Sequence, residues 1–183
     1  MKLLKILLEQ EKILVPTRTK GWAEKYAKII QKKIQQYIED GSKGDLYLGG
    51  YPITFLPNNL EYVGGDLDLA RTSITSLPDT LKYVEGSIFL EDTEIESLPD
   101  NLKIGRSLVL SKAYIPSLPD NLEIGRNLYI DHTPITSLPK NLKVESKLLI
   151  RWTPLAEKYT DEEIRNLADI GGKIVRWNYW RYF

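Results

Sequence analysis

Residues 65–85 read GDLDLARTSITSLPDTLKYVE, and residues 86–105 repeat the same pattern as GSIFLEDTEIESLPDNLKIG. The Leu-Pro pair of this pattern begins at positions 56, 77, 98, 118 and 138, so the repeats are spaced by 21, 21, 20 and 20 residues. Self-similarity at a fixed period of this length is the sequence signature of a solenoid, in which each repeat forms one coil. The sequence therefore predicts a stack of coils.

Each repeat contains one short L-x-L segment, whose two aliphatic residues suit the buried face of a strand. Six such pairs occur, at Leu46/Leu48, Leu67/Leu69, Ile88/Leu90, Leu108/Leu110, Leu128/Ile130 and Leu148/Ile150. A further aliphatic column holds Val63, Val84, Ile104, Ile124 and Val144. A single coil cannot bury its own apolar faces, so neighbouring coils must stack and both ends of the stack must be covered. We expect six coils over residues 45–155.

The pattern L-x-L-x-x-T-x-I-x-S-L-P-D-N-L resembles the leucine-rich repeat, in particular the short bacterial type built on a Leu-Pro signature. Repeats written in this way look like those of bacterial and phage proteins. The resemblance covers residues 45–155 and implies an α/β leucine-rich-repeat solenoid with a parallel β-sheet on its concave face. Some bacterial effectors with similar repeats carry a ubiquitin ligase, but that activity needs a catalytic cysteine, and this chain has none.

Three polar or glycine columns have structural interpretations. The position where the family usually places an asparagine ladder holds Tyr51, Thr72, Thr93, Ala113, Thr133 and Thr153, so we expect hydroxyl groups to satisfy the inner turn. Asn59, Asn101, Asn121 and Asn141 are expected to bond backbone groups of adjacent coils. Gly65, Gly86, Gly105 and Gly125 precede the strands, where we expect turns with positive φ.

Residues 1–44 are predicted to form an N-terminal helical cap. The apolar residues of segment 21–39 recur at helical spacing, as Trp22, Tyr26, Ile29, Ile30, Ile34, Tyr37 and Ile38. Gly41 is expected to end this helix. An earlier helix is predicted over residues 2–14, and its leucines either fold back on the cap or form an anchor for a partner or a second copy.

Residues 156–183 are predicted to form a C-terminal cap of one helix and one strand. Thr160 and Glu163 have the spacing of a capping box, which opens a helix expected to end near Gly171. A strand is expected within residues 173–180, paired with the edge left by the sixth coil. The aromatic tail at Trp177, Tyr179, Trp180, Tyr182 and Phe183 is either a hydrophobic lid or a docking surface.

The residue between the two aliphatics of each L-x-L segment should face outward, because side chains alternate along a strand. This column is Tyr47, Asp68, Phe89, Val109, Tyr129 and Leu149, apolar or aromatic in five of six coils. Together with the flanking His132 and Trp152, it is the predicted partner-binding surface. The alternative is that the β-propensity of Tyr, Phe and Val alone accounts for the column.

Composition argues against catalysis and against cofactors or metals. The chain has no cysteine and a single histidine, His132, which removes thiolate and paired-imidazole metal sites and leaves one candidate histidine base. Asp68 and Glu91 could approach on adjacent strands, but an open sheet face does not exclude water. The glycine pairs lack the Lys-Ser/Thr of a phosphate loop. We therefore expect no enzyme activity.

The chain as a whole has no electrostatic preference for polyanions, because 25 Lys+Arg balance 25 Asp+Glu. Residues 1–44 carry a net charge of +5 and residues 45–155 one of −5, but aromatics do not interleave with the lysines on one face, which argues against nucleic acid. No run approaches 18 apolar residues, and the first residues do not read as a signal peptide. We expect no membrane partner and a cytoplasmic location, in the host if the chain is phage-encoded.

Two functional hypotheses follow. The favoured one is a non-catalytic protein-binding module that uses the concave sheet face, as a phage or bacterial factor engaging a host protein. The alternative is a structural or assembly subunit of a larger complex, such as a virion. That subunit would contact its neighbours, including further copies, through the helical N terminus and the aromatic C terminus.

Overall fold

The computed structural model of the chain describes residues 20–176, with side chains from residue 26 onward. The predicted helix over residues 2–14, the helix residue Trp22 and the aromatic tail from Trp177 onward therefore lie outside the side chains that are described. The helices are α1 (Lys20–Glu39), α2 (Pro154–Lys158) and α3 (Asp161–Leu167). All described strands are two residues long.

Seven strands form one parallel sheet, which we call the front sheet. They are β1 (Leu46–Tyr47), β3 (Leu67–Asp68), β5 (Ile88–Phe89), β7 (Leu108–Val109), β9 (Leu128–Tyr129), β11 (Leu148–Leu149) and β13 (Ile174–Val175), in this order across the sheet. Five turns of 20 or 21 residues connect Leu46 to Leu148, with equivalent positions in register. The predicted parallel-sheet solenoid is confirmed.

A second parallel sheet, which we call the side sheet, was not predicted. Its strands are β2 (Tyr62–Val63), β4 (Tyr83–Val84), β6 (Lys103–Ile104), β8 (Glu123–Ile124), β10 (Lys143–Val144) and β12 (Asp169–Ile170). The aliphatic column that begins with Val63 forms its buried side. Each coil thus contributes one strand to each sheet, and a bridge between Ser76 and Ser97 adds a contact on the remaining side.

The core lies inside the stack and is almost entirely aliphatic. The aliphatic residues of all six L-x-L pairs are at most 1 % exposed, and those of the Val63 column at most 2 %. Burying one such side chain contributes roughly 1.5–3 kcal/mol. Because strands and turns of one coil are covered only by the coils above and below, this contribution is available only in the stack.

The glycines before the front strands differ from the prediction in their backbone geometry. Among the described glycines, positive φ occurs at Gly41, Gly44 and Gly50, and not at the four predicted positions. A Cβ on Gly125 would lie 2.3 Å from the carbonyl oxygen of Gly105 in the preceding coil. Glycine is therefore favoured here by the close approach of two backbones and not by a left-handed turn.

Positive φ occurs instead at the corner that follows each front strand. Gly50 occupies this corner in the first coil, and the later coils place non-glycine residues there with φ between 52° and 63°. These corner residues are Arg71, Asp92, Lys112, His132 and Trp152. The backbone N–H groups of the first four, Arg71 to His132, bond to the next coil, as from Arg71 to the carbonyl of Glu91 at 2.9 Å, and this stacking holds the unfavourable conformation in place.

Threonine hydroxyls satisfy the inner turn as expected. Thr72, Thr93, Thr133 and Thr153 are buried, and each donates to the carbonyl three residues earlier at 2.7 Å. The asparagine column differs from the expectation, since its amides bond to each other and not to backbone. Asn121 donates to Asn101 at 3.1 Å, and Asn141 donates to Asn121 at 3.0 Å.

A further polar ladder was not predicted. The residue before each of the first five front strands accepts a hydrogen bond from the backbone N–H of the equivalent residue in the next coil. We call this the acceptor column, and its members are Asp45, Asp66, Ser87, Ser107 and Asn127. It satisfies donors at the entry of the front strands β3 to β11, where the backbone ladder has not yet begun.

Helix α1 packs on the first coil through Ile30 and Ile34, which are buried. The Tyr37 hydroxyl donates to the carbonyls of Ser42 and Gly44, at 2.8 and 2.9 Å. Ile29 differs from the predicted apolar stripe, because its side chain is 49 % exposed. It lies at the flank of the buried face, about 100° around the helix from Ile30.

The last coil replaces the Leu-Pro segment with α2 and α3. Thr160 and Glu163 form the predicted capping box, but α3 ends at Leu167 and not near Gly171. The chain leaves the helix early because Asp169 and Ile170 pair with β10 in the side sheet. The predicted C-terminal strand is present at Ile174–Val175, where it pairs with β11 in parallel.

Candidate protein-binding face

The six residues predicted to face outward are aligned on the outer side of the front sheet, and we call them the outer stripe. They are Tyr47, Asp68, Phe89, Val109, Tyr129 and Leu149, each in direct register with the next. Val175 in β13 continues the row by one position. Seven strands at about 4.8 Å spacing extend the row over about 29 Å.

Exposure differs along the outer stripe. Tyr47, at the edge of the front sheet, is 52 % exposed. The other members are partly buried, because each side chain is covered on both sides by its neighbours in adjacent strands. The stripe is therefore a continuous ridge of side chains and not a set of isolated apolar groups. Partial burial is compatible both with a binding surface and with β-propensity alone.

The early coils give the outer stripe an acidic end. The Tyr47 hydroxyl donates to Oδ2 of Asp45 at 2.6 Å, and the backbone N–H of Asp66 donates to Oδ1 of Asp45 at 2.7 Å. The hydroxyl donor, followed by the backbone donor, lowers the pKa of Asp45. Asp45 is therefore held in its charged form at neutral pH.

Glu91 lies beside Asp68 on the neighbouring strand, offset by one column as the sequence indicates. Burial raises the pKa of Glu91, and the negative charges of Asp68 and Asp92 raise it further. Oδ1 of Asp68 accepts the backbone N–H of Ala70 at 3.0 Å and so is fixed by its own strand. Within residues 26–176, no group of three or more acidic or histidine side chains is arranged to hold a metal ion.

The later coils give the outer stripe a basic and aromatic end. Arg151 binds the nearly buried Asp131, with Nη2 and Oδ2 at 2.9 Å and Nε and Oδ1 at 3.1 Å. His132 and Trp152 occupy successive corners, and their rings stack with centroids 4.3 Å apart and an angle of 11°. The structure thus brings the two predicted flanking residues together, and Trp152 remains 50 % exposed.

Several exposed aromatic and charged residues were not predicted from the sequence. Tyr114 is 69 % exposed on a turn, and Tyr83 is 38 % exposed on the outer face of the side sheet. On that face Lys103 and Glu123 form an ion pair at 3.0 Å, beside an open depression of about 190 Å³. For the side sheet, alternation predicts the exposed residues, because the residue before each member of the Val63 column must point outward if that column points inward.

Comparison with known proteins adds no assignment: no known family matches the sequence, and no curated protein matches it either. Among the described residues, no helix combines the length and apolar character needed to cross a membrane.

Proposed function

We propose that the chain is a non-catalytic protein-binding module and that the outer stripe is its binding surface. The observation that supports this proposal most directly is the unbroken register of the stripe across the front sheet. The middle of the row, Phe89 to Tyr129, is apolar or aromatic, and charged residues in the row or beside it lie toward both ends. An apolar centre with a charged rim is the usual composition of a protein interface.

The finer identity of the fold belongs to the same proposal. We propose that the coils are leucine-rich repeats of the short Leu-Pro type, on the strength of the L-x-L and Leu-Pro spacing. Helix α1 would then be the N-terminal cap, and the last coil with α2, α3 and β13 the C-terminal cap. The partner would be a host protein met in the cytoplasm by a phage or bacterial factor, where a chain without cysteine needs no oxidising environment.

The test is capture of a partner from host lysate by three forms of the protein. The first is the wild type and the second is Phe89→Ser combined with Tyr129→Ser in the outer stripe. The third is a matched control, Tyr62→Ser combined with Tyr83→Ser, which removes two outward-facing rings from the side sheet, whose centroids lie 6.0 Å apart.

We expect the stripe variant to lose a partner that the control and the wild type both retain. Because all four rings point outward, the melting temperature of both variants should stay close to that of the wild type. Equal capture by all three forms would remove the outer stripe as the binding surface. Loss of capture with a matching loss of melting temperature in the stripe variant would favour the β-propensity interpretation.

A second candidate, an assembly subunit, is supported by Ile29. This side chain is 49 % exposed on α1, and contact with a neighbouring subunit would bury its apolar surface. If α1 contacts a neighbouring subunit there, Ile29→Asp should release the chain from its complex. An unchanged elution volume of Ile29→Asp in size-exclusion chromatography of the complex would exclude this candidate.

A further inference from the structure

The outer face of the front sheet carries opposite charges at its two ends. The acidic end holds Asp45, Asp66, Asp68, Glu91 and Asp92, with Arg71 among them and with Lys33 of α1 donating to the carbonyl of Tyr47 at 2.6 Å. The basic end holds Lys112, Lys147, Arg151 and Lys173, with Asp131 among them. Between the ends lie Phe89, Val109 and Tyr129 of the outer stripe. The face is therefore a charge dipole along the stack, with an apolar centre.

The two halves of this face are related through β7, the fourth of the seven strands. In the column before the strands, the first position is Asp45 and the last is Lys173. One strand further in on each side, Asp66 corresponds to Lys147. In the outer stripe itself, Phe89 corresponds to Tyr129, and Val109 lies at the centre.

We propose that the occupant of this face is a second copy of the same chain, related by a two-fold axis that runs along β7. The two front sheets then pack face to face, with their strands parallel and their coil order reversed. Asp45 meets Lys173 and Asp66 meets Lys147, each twice, because a two-fold interface is self-complementary. The inference rests on the proposed function, since it uses the same stripe and names what binds there.

The charges select this arrangement over the other face-to-face dimer. A two-fold axis along the stack would place each coil opposite its own copy and so bring acidic end to acidic end. With the axis along β7, Arg71 lies opposite the exposed ring of Trp152, a pair suited to a cation–π contact. Asp92 lies opposite His132 in the same corner column.

Three contacts oppose the arrangement and limit its strength. Asp68 lies opposite the apolar Leu149, so its carboxylate loses water without gaining a partner. Glu91 lies opposite Asp131, but Asp131 is already neutralised by Arg151 at 2.9 Å. Lys112 lies opposite its own copy, at the outer edge of the face, where its exposed side chain can extend into solvent. We expect the four ion pairs formed by Asp45 and Asp66 to offset these costs.

The size of the face is that of a weak but specific interface. Its length is about 29 Å, and five residues across each strand and corner give a width of about 17 Å. The dimer would bury about 1,000 Å² in total, at the lower limit for specific association. We therefore expect a dimer that forms at micromolar concentration and dissociates on dilution or at high salt.

The test is sedimentation equilibrium of the full chain over about 1–200 µM, with two charge-reversed variants. One variant combines Lys147→Glu with Lys173→Glu, and the other combines Asp45→Lys with Asp66→Lys. Lysine is the natural residue in this column at positions 147 and 173, so the coil accommodates it. Because Asp45 and Asp66 also accept backbone hydrogen bonds, circular dichroism must show that each variant is folded.

We expect the wild type to dimerise, and each variant alone to show a dissociation constant at least tenfold higher. An equimolar mixture of the two variants should form a dimer as strong as that of the wild type, because opposite charges then face each other in all four pairs. If Asp45→Lys/Asp66→Lys does not fold, Asp45→Asn/Asp66→Asn replaces it and should weaken the dimer on its own.

A wild type that remains monomeric at 200 µM overturns the inference, as does a dimer that the reversals leave intact or a mixture that stays monomeric. None of these results decides the proposed function, which depends on capture of a different protein and on the Phe89/Tyr129 variant. Conversely, a dimer that is restored in the mixture of the two variants supports the inference even if no host protein is captured.

Discussion

Gly105 and Gly125 show how closely the backbones of successive coils approach each other. A Cβ at Gly105 would lie 2.2 Å from the carbonyl oxygen of Glu85, and one at Gly125 would lie 2.3 Å from that of Gly105. The contacted atoms are backbone, so they cannot move without shifting the neighbouring coil. Glycine is used here because it has no Cβ, and its conformational freedom is not involved.

We predict that Gly125→Ala lowers the free energy of unfolding by about 1–3 kcal/mol, the range for an overpacked site. The matched control is Gly44→Ala, where no atom lies within 4 Å of the added methyl but φ is +74°. Its cost should be the conformational one alone, about 1–2 kcal/mol. Urea denaturation measures both, and a Gly125→Ala protein as stable as wild type would show that the coils can separate at no cost.

Glu91 predicts an unusual dependence of stability on pH. Burial, and then the charges of Asp68 and Asp92, raise the pKa of Glu91 in the folded chain above its usual value of 4.5. A raised folded pKa means that the folded chain holds this proton more tightly. The side chain therefore favours folding when protonated, and that stabilisation is lost as pH rises through the folded pKa.

Replacing Glu91 by Gln should raise the melting temperature at pH 7, because the amide has no charge to desolvate. The gain should shrink as pH falls below the folded pKa, where the wild-type carboxyl is also neutral. Thermal melts at pH 4 and pH 7 measure the difference. A variant that is less stable than wild type at both values would mean that the carboxylate has a stabilising contact of its own.

At the residue scale, the sequence predicts what alternation dictates. Tyr129 faces outward because Leu128 and Ile130 face inward, and Thr133 bonds its own turn because a buried hydroxyl needs a partner. The reason for the glycines could not be predicted, since the distance between backbones of successive coils is a property of the stack. The acceptor column was missed because its Asp, Ser and Asn members share an acceptor oxygen and not a residue type.

Among the elements, α3 is the one whose start the sequence defines most closely. The Thr160 hydroxyl accepts the backbone N–H of Glu163 at 3.2 Å, and the Glu163 carboxylate accepts the N–H of Thr160 at 2.7 Å. These reciprocal bonds satisfy donors at the helix N terminus. Backbone and hydroxyl hydrogen bonds from Thr160 also lower the pKa of Glu163.

We predict that Thr160→Ala lowers the free energy of unfolding by about 1 kcal/mol at pH 7, as for other N-cap residues. Glu163→Gln should also destabilise at pH 7. Because the folded pKa of Glu163 is lowered, its contribution is present above the unfolded value of about 4.5 and is lost as pH falls through the folded one. Denaturation at pH 7 and pH 3 should show that the free energies of unfolding of the wild type and of Glu163→Gln become similar at pH 3. A difference that stays constant between the two pH values would contradict a stabilising role for the Glu163 carboxylate.

Element boundaries were predicted less well than element identity. The side sheet was missed because two-residue strands such as Tyr62–Val63 are too short to show alternation, so only their buried member was recognised. The end of α3 was placed too late because Gly171 looked like a helix stop. Pairing of Asp169–Ile170 with Lys143–Val144 ends the helix before that residue is reached.

At the scale of the whole molecule, hydrogen bonds between coils occur on every side of the stack. Both sheets contribute one strand per coil, and the third side has bonds such as Leu155 N–H to the carbonyl of Ile135 at 3.0 Å. Strand pairing fixes the spacing at about 4.8 Å wherever it occurs. Because two sides have the same spacing, we expect the stack to be nearly straight and its front face close to flat.

Equivalent coils should be removable one at a time. Deleting residues 109–128 joins Leu108 directly to Tyr129, which occupy successive positions of equivalent strands and keep every column in register. We predict that this shortened chain folds, with a denaturant m-value about one tenth lower because one coil fewer is exposed on unfolding. Failure of the shortened chain to fold would mean that the coils are not interchangeable.

Helices α2 and α3 determine where the stack can end. An extended segment occupies about 4.8 Å along the stack, whereas a helix with its side chains is about 10 Å wide. A further 20-residue coil stacked on this one could pair with its strands in both sheets. On the third side, the greater width of the helices would prevent contact at the same spacing. We therefore expect the helical coil to oppose extension of the array, because it offers a further coil, or a neighbouring molecule's array, no level surface on which to stack into a fibre.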